Sequence, residues 1–198
     1  RNTVCRPTAC SVTLEIGQAA ATSTSSGRGC RRQKKAVRMM SDQHREVIDR
    51  FTGPYAFLSN FHPCRVTFYG MTFPSVEAAF QAAKCADHRV RAQFLAMTPQ
   101  QAKRRGRQIR MRDDWDARKR TIMHNLLVHK FSENPDLIPK LLATGGAVLV
   151  EGNTWHDNYW GCCTCSRCGG RRGRNNLGRL LMELRADYMA SYKEDGRT

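Results

Sequence analysis

The strongest structural signal in the chain is the stretch FPSVEAAFQAAK, residues 73–84. Ser75 has the position of an N-cap, which places Glu77 in the first turn of the helix that follows. Gln81 comes four residues after Glu77, and Lys84 comes three after Gln81, so these polar groups share one helical face. The adjacent face is apolar and consists of Val76, Phe80 and Ala83. The pattern predicts a helix that packs one face in the core and lines a pocket with the other.

Outward from this helix, hydrophobic periodicity and turn residues predict the rest of a helix-rich domain. The first predicted elements are a hairpin at 65–73, a helix from Val76 to about Ala96, and a helix starting at Thr98-Pro99 and ending near Gly106. A helix opened by Asp113 or Asp114 follows, and then a short helix between Asn134-Pro135 and residues 144–146. The last elements are a buried strand at 147–150, an aromatic loop at 152–161 and a helix from about Leu177 to Tyr192. The sequence contains no internal repeat. These elements predict the α+β class, with a single helix-rich domain and a small β-sheet.

The composition limits the classes of partner. With 198 residues, the chain is long enough for one domain with a substantial core. The net charge of +16 favours anionic partners such as nucleic acid or phosphorylated small molecules. A solvated basic face explains the same charge. No run approaches the roughly 18 apolar residues that cross a bilayer, so we expect no membrane association.

Residues 1–40 differ in composition from the rest of the chain. They contain eight Lys and Arg residues, the single acid Glu15 and no aromatic residue. This composition predicts a disordered basic tail. Three interpretations stay open: a targeting peptide, a basic arm for nucleic acid, or translated sequence upstream of a start at Met40. We expect the folded domain to occupy residues 41–198.

The chain has nine cysteines, and four of them lie close together at Cys162, Cys163, Cys165 and Cys168. An odd count with no signal peptide predicts reduced thiols and a cytoplasmic location. Cys165 and Cys168 have the spacing of half a zinc site, to which Cys162 or Cys163 could add a thiolate and His156 an imidazole. A second separated pair is missing from the roughly twenty residues that follow. We therefore predict no metal and keep zinc as the alternative.

Six blocks of sequence occur in a specific order over residues 49–188. They are residues 53–61, residues 74–84, Arg112-Asp-Asp-Trp115 with Lys119 and Met123, Lys130-Phe131, Glu151 with Asp157 and Trp160-Gly161, and residues 175–185. In this order they resemble the NADAR domain family, also called YbiA-like. The resemblance implies an N-glycosidase that acts on ribosides. Some members of the family cleave phosphoribosylamino-pyrimidine intermediates of riboflavin synthesis, and others remove ADP-ribose from modified guanine in nucleic acid.

Glu77 is the first candidate for this chemistry. Breaking a C1–N bond passes through an oxocarbenium-like state, so the site needs negative charge near the ribose and a group that activates water. We predict both roles for Glu77, because a helix N-terminus favours the charged carboxylate. The alternative is a favourable charge at a helix start, which is common on protein surfaces.

Two further residues complete the predicted catalytic set of Glu77, Trp115 and Asp157. The resemblance implies that Trp115 lines the substrate pocket, where an indole can stack on a base. The alternative is a core tryptophan. Asp157 lies in the aromatic loop and is predicted to orient ribose or water together with Asn60. The alternative for Asp157 is a turn-capping carboxylate.

Other residues are predicted to bind the substrate. Lys84 and Arg112 are candidates for phosphate contacts, and backbone amides at the start of the last helix could also accept a phosphate. Because basic residues are plentiful, solvated surface is the alternative for both cations. The predicted substrate-binding set is Tyr55, Ser59, Asn60, Phe61, Gln81, Lys84, Arg112, Trp160, Asn176 and Gly178.

The sequence lacks the motifs of other common enzyme classes. It has no P-loop, no dinucleotide-binding glycine motif, no His-Glu-x-x-His and no Gly-x-Ser-x-Gly. With those classes disfavoured, we follow what the resemblance implies and predict a hydrolase, without a cofactor, that cleaves the C1–N bond of a phosphorylated riboside. The substrate would be a small molecule or ADP-ribosylated nucleic acid. The alternative is a non-catalytic ADP-ribose or nucleic-acid binding module.

Overall fold

A computed structural model describes residues 46–168 and 173–194, and the predictions for residues 1–40 lie outside these ranges. The described residues form six α-helices: α1 Val76–Ala83, α2 His88–Ala92, α3 Pro99–Arg105, α4 Trp115–Glu133, α5 Leu137–Ala143 and α6 Asn176–Glu194. They also form two short 3-10 helices, Gly53–Leu58 and Ser166–Cys168. None of the described helices combines the length and the apolar composition needed to cross a membrane.

The strands are short and are distributed over three pairs. They are β1 Val47–Ile48, β2 Val66–Phe68, β3 Met71–Phe73, β4 Val148–Leu149, β5 Gly152–Asn153 and β6 Cys162–Cys163. β1 pairs with β4 and β5 with β6 in parallel, whereas β2 and β3 form an antiparallel hairpin. The α+β class is confirmed, but the described strands form three separate two-stranded sheets instead of one.

Helix α1 lies at the centre of the domain. The Ser75 hydroxyl accepts a hydrogen bond from the backbone N–H of Ala78 at 3.1 Å, which confirms the predicted N-cap. All eight residues of α1 are buried, including Glu77 and Gln81. The helix packs against α3, α4 and the β2–β3 hairpin. Its polar face is therefore enclosed by the protein and does not form open surface.

The predicted helix from Val76 to about Ala96 is wrong, because the structure divides it into α1 and α2. The Lys84 carbonyl accepts a hydrogen bond from the backbone N–H of Arg112 at 2.8 Å, so it is taken by a distant segment. The Asp87 side chain then caps α2 by accepting from the N–H of Arg89 at 2.8 Å. A tertiary contact and a new N-cap together end α1 where periodicity alone predicts continuation.

The other predicted helix boundaries are confirmed to within a few residues. Thr98 and Gln101 form a reciprocal capping box at the start of α3, and Asp114 directly precedes α4. The hairpin at 65–73 is also confirmed. Its two turn residues, Tyr69 and Gly70, have φ values of 51° and 72°, as expected for the two-residue turn that matches the twist of a hairpin.

Helix α6 approaches strand β4 very closely at Gly178. A Cβ atom at Gly178 would lie 2.1 Å from the carbonyl oxygen of Leu149 and 2.6 Å from the side-chain amide of Asn175. That amide donates to the Leu149 carbonyl at 2.8 Å and accepts from the Glu151 N–H at 3.0 Å. Gly178 therefore serves helix–strand packing, which differs from the substrate contact predicted for it.

Gly178→Ala is expected to lower the free energy of unfolding by about 1–3 kcal/mol, because the added methyl group overlaps backbone that cannot move freely. Gly146→Ala is the matched control, since a Cβ atom at Gly146 meets nothing within 4 Å. Equilibrium denaturation of the two variants and the parent chain measures the difference. Equal stability of both variants would contradict the packing argument.

Candidate active site

The site is a cavity of about 700 Å³ between helices α1 and α3 and the loops that follow the first 3-10 helix and strand β4. This volume is typical of pockets for small-molecule ligands. The lining residues are Phe51, Thr52, Ser59, Asn60, Phe61, Glu77, Phe80, Gln81, Lys84, Gln100, Lys103, Arg104, Arg107, Met123, Glu151, Gly152, Asn153, Trp155, Asp157, Trp160 and Leu177.

Glu77 lies in this wall, in the first turn of α1. Its backbone N–H donates to the carbonyl of Asn60 at 2.9 Å, and its carboxylate accepts a hydrogen bond from the Gln81 side chain at 2.8 Å. Burial raises the pKa of Glu77, while the Gln81 hydrogen bond and the charges of Lys103 and Lys84 act in the opposite direction. The sequence argument considered only the helix N-terminus, and the structure shows that burial outweighs the groups that favour the carboxylate.

Glu151 is a second acid in the cavity; it belongs to one of the six sequence blocks, but no site role was predicted for it. Its backbone is fixed between β4 and β5, where its carbonyl accepts from the Cys162 N–H at 2.8 Å. Burial, followed by the nearby charge of Asp157, raises the pKa of Glu151 to about 7. A carboxyl group with this pKa holds a proton for part of the time at neutral pH and can act as a general acid.

Three buried side-chain oxygens have no hydrogen-bond partner within the described part of the chain. They are Oδ1 of Asn60, Oε1 of Gln81 and Oε2 of Glu151, and all three residues line the cavity. Leaving a buried acceptor unpaired costs about 1–3 kcal/mol. Unpaired buried acceptors are uncommon in folded proteins, and here all three belong to residues of one cavity wall.

Asp157 is held by the side chain of Asn153, which donates to the Asp157 carbonyl at 2.8 Å and accepts from its N–H at 3.2 Å. Oδ1 of Asp157 accepts from the N–H groups of Tyr159 and Trp160 at 3.1 and 2.8 Å. The carboxylate thus caps a turn and also lines the cavity. The structural and functional interpretations of Asp157 are therefore compatible.

The aromatic residues are arranged around Phe80. Trp160 lines the cavity and meets Phe80 edge to face, with ring centroids 5.3 Å apart. Trp115 also packs against Phe80, with ring centroids 5.0 Å apart, but it is only 8% exposed and is not part of the cavity wall. The core position of Trp115 matches the alternative stated for it. Phe61 and Trp155 supply other aromatic surfaces in the cavity, and the Lys103 ammonium lies 5.4 and 5.2 Å from their ring centres.

The segment that carries Ser59 and Asn60 is held in place by a hydrogen bond from Lys130. The Lys130 ammonium is completely buried and donates to the Ser59 carbonyl at 2.9 Å. Burial lowers the pKa of Lys130 to about 8. The amide nitrogen of Asn60 contacts the Met123 sulfur at 3.6 Å, which directs the unpaired amide oxygen away from that sulfur. Lys130 therefore positions a cavity wall without lining it.

One side of the cavity is basic. Lys84, Lys103, Arg104 and Arg107 line it, at the C-terminal ends of α1 and α3. Desolvation lowers the pKa of Lys84, with the charges of Arg107 and Lys103 acting in the same direction. Arg112 lies elsewhere, bonded to Asp114 and to the Tyr69 hydroxyl. Lys84 thus keeps the place predicted for a phosphate contact, whereas Arg112 does not line the cavity.

The structure brings together eight of the thirteen predicted site residues: Ser59, Asn60, Phe61, Glu77, Gln81, Lys84, Asp157 and Trp160. The other five lie outside the cavity wall: Tyr55, Arg112, Trp115, Asn176 and Gly178. Tyr55 packs against the core. Asn176 donates from its side chain to the Tyr159 carbonyl at 2.9 Å, so it fixes the aromatic loop.

Sequence reasoning missed Glu151, Lys103, Arg107 and Trp155 as lining residues. The spacing of Lys103 and Arg107, four residues apart near a helix end, is a signal that could have found the basic side. Glu151 directly follows a predicted buried strand, where a carboxylate is conspicuous. Nothing local distinguishes Trp155 from its aromatic neighbours in the loop.

A separate cluster is formed by the aromatic loop and by the segment that follows it, from β6 to the second 3-10 helix. Ligand atoms of His156, Cys163, Cys165 and Cys168 all lie within 4.8 Å of one another. Cys162 is not in this group, since its thiol contacts the Gly173 carbonyl at 3.7 Å. Of the four cysteines considered for zinc, three therefore converge, and His156 is the fourth member.

Comparisons with known proteins agree with this fold. The family model described as the NADAR domain matches residues 48–188. The N-glycosidase YbiA of Escherichia coli is 38% identical over 134 residues, which cover 66% of this chain and 80% of that protein. A riboflavin biosynthesis protein of Vibrio vulnificus is 37% identical over 136 residues, which cover 67% of this chain but only 35% of that protein.

A solved structure shows the same fold. The NMR structure of Escherichia coli YbiA is 34% identical and superposes with a TM-score of 0.64, covering 76% of this chain and 90% of that one. The six sequence blocks, the α+β architecture and the matching family model agree with one another. The chain therefore belongs to the NADAR domain family.

Proposed function

We propose that this chain is an N-glycosidase that hydrolyses the C1–N bond of a phosphorylated riboside. The observation that carries the proposal is a single cavity in which three carboxyl groups face four cationic side chains. The acids are Glu77, Glu151 and Asp157, and the cations are Lys84, Lys103, Arg104 and Arg107. The acids suit a developing positive charge on ribose, and the cations suit a phosphate.

The names of the relatives support the reaction type and suggest a substrate. YbiA is named an N-glycosidase, as is a 34% identical relative from Nostoc punctiforme, and two other relatives are named riboflavin biosynthesis proteins. A riboflavin intermediate with a phosphorylated ribose fits the charge distribution of the cavity. ADP-ribose attached to a base has the same elements: phosphate, ribose and a C1–N bond.

The acids divide the hydrolysis between them. As the C1–N bond breaks, its electron pair moves to nitrogen, and protonated Glu151 donates a proton to the departing base. The Glu77 carboxylate stabilises the positive charge at C1 and accepts a proton from the water whose oxygen attacks that carbon. Transfer of a proton from Glu77 to Glu151, directly or through solvent, restores both groups. Asp157 and the unpaired amide oxygen of Asn60 orient the ribose hydroxyls.

The aromatic residues that line the cavity would bind the base of the substrate. Trp115 is 8% exposed and is not part of the cavity wall, so we assign the stacking role to Phe61, Trp155 or Trp160 instead. An aromatic ring can stack on any base, which suits a site whose leaving base is not yet fixed.

Base release tests the proposal directly. The full chain is incubated separately with a phosphoribosylamino-pyrimidine and with an ADP-ribosylated guanosine, and the free base is followed by chromatography. Release from the first compound identifies a metabolic enzyme, and release from the second identifies a de-ADP-ribosylating enzyme. Binding of either compound without release would overturn the N-glycosidase assignment in favour of a binding module.

Lys103→Ala is expected to raise KM for the phosphorylated substrate by about 10- to 100-fold, the value of one charge-assisted hydrogen bond. The corresponding riboside without phosphate should bind equally to the variant and the parent chain. Lys140→Ala serves as the control, because Lys140 is an exposed residue of α5 outside the cavity wall. An equal loss for both ribosides would contradict a phosphate contact.

A further inference from the structure

The second cluster of reactive side chains lies outside the cavity, on the loop that carries Asp157. It contains three thiols and one imidazole, from Cys163, Cys165, Cys168 and His156, with all four ligand atoms within 4.8 Å of one another. We propose that these residues bind one zinc ion in a closed structural site. Three sulfurs and one nitrogen are a common tetrahedral zinc set, and thiolates favour zinc over the harder divalent cations.

The sequence argument against zinc was that no second pair of ligands follows Cys168. In the structure the second pair is His156 and Cys163, which come before Cys165 in the chain. Parallel pairing of β5 with β6 places Cys163 opposite Asn153, next to the loop that leads to His156. His156 has a φ value of 67°, a left-handed conformation that is uncommon for a non-glycine residue. Its Nδ1 lies 3.0 Å from the Cys165 sulfur and 3.4 Å from the Cys168 sulfur.

Two N–H groups outside the set of ligand atoms donate to sulfurs of the cluster. The backbone N–H of His156 donates to the Cys163 sulfur at 3.3 Å, and the side-chain N–H of Asn158 donates to the Cys168 sulfur at 3.2 Å. The Asn158 oxygen in turn accepts from the Cys163 N–H at 2.9 Å, which fixes that amide. Donors of this kind orient thiolate ligands and support their charge.

A disulfide accounts for the cluster less well than a metal. Three thiols cannot all be paired within the group, and the imidazole would then have no reason to lie among the sulfurs. The four ligands instead complete a tetrahedral set without leaving a position open for substrate, which is the pattern of a structural site. The proposed zinc is therefore separate from the hydrolytic chemistry in the cavity.

The ligands enclose the segment that supplies part of the cavity wall. Asp157 and Trp160 lie between His156 and Cys163 in the chain, and both line the cavity. A metal bound by residues on both sides of this segment would restrict its motion and hold the Asp157 carboxylate in place. The zinc site would thus position the loop without contacting the substrate.

The test is metal content. The untagged full chain is purified under reducing conditions, dialysed against metal-free buffer and analysed by inductively coupled plasma mass spectrometry. One zinc per chain is expected. Cys165→Ser and Cys168→Ser should lose this zinc, while Cys162→Ser should keep it, because the Cys162 thiol points to Gly173. Loss of zinc from Cys162→Ser to the same extent would overturn the assignment of ligands.

A second measurement covers variants that fail to fold. The parent chain is stripped of metal, kept reduced and titrated with Co²⁺, whose visible spectrum reports tetrahedral geometry and thiolate ligation. A tetrahedral, thiolate-rich spectrum that saturates at one equivalent and is displaced by zinc supports the proposal. Folded, reduced protein that contains no zinc and binds neither ion would refute it, and base release could still be measured on that protein.

Discussion

Glu77→Gln is expected to lower kcat for base release by about 10²- to 10⁴-fold, the range for loss of a positioned general base or acid. The amide has nearly the same shape as the carboxylate and can still accept the hydrogen bond that Gln81 donates at 2.8 Å. The helix, its Ser75 cap and the cavity wall should therefore stay in place. The variant loses the negative charge near C1 and the group that accepts a proton from water.

The measurement separates turnover from binding. Single-turnover base release gives the chemical step, and a binding assay with unreacted substrate gives the affinity, which should change much less than kcat. Glu183→Gln is the control, because Glu183 forms an exposed ion pair with Arg120 on the helix surface. Undiminished turnover in Glu77→Gln would remove Glu77 from the mechanism.

The sequence predicts most of the local structure because the signals for it are local. Ser75 before α1 and Thr98 before α3 are capping residues whose effect depends on the next few amides. The signal for the polar face of α1 is also local, because helical spacing alone places Glu77, Gln81 and Lys84 on one surface. All three residues line the cavity.

The sequence predicts less where a distant segment decides the outcome. The Arg112 amide takes the Lys84 carbonyl, and this contact between residues 28 positions apart helps to end α1. Trp115 is buried against Phe80 and is not part of the cavity wall, which no pattern around either residue indicates. The four zinc-ligand candidates converge through the β5–β6 pairing, a contact between strands too short to be recognised from periodicity.

Glu151 shows most clearly what the structure adds to the sequence. Its role depends on the pKa, and that value follows from burial and from the neighbouring Asp157 charge, neither of which the sequence displays. The two acids also differ in their partners. Glu77 accepts a hydrogen bond that favours the charged form, while Oε2 of Glu151 is buried and unpaired. This difference supports the assignment of Glu77 as base and Glu151 as acid.

Glu151→Gln is expected to lower kcat by about 10²- to 10³-fold at pH 6, because an amide cannot donate a proton to the leaving base. In the parent chain kcat should fall as the pH rises through about 7, where Glu151 loses its proton. The variant should lack this decline. Both effects are measured as kcat for base release at saturating substrate, in buffers about one pH unit apart between pH 5.5 and 9.

Stability provides an independent test of the same titration. The folded pKa of Glu151, about 7, is above the ordinary value of 4.5, so the folded chain binds the proton more tightly than the unfolded chain. The stability contributed by this group is therefore complete below pH 4.5 and is lost as the pH rises toward 7. Glu151→Gln cannot titrate and should be more stable than the parent chain above pH 7, whereas the exposed control Glu46→Gln should not. If Glu151→Gln keeps the parent pH profiles of both rate and stability, another group must supply the proton.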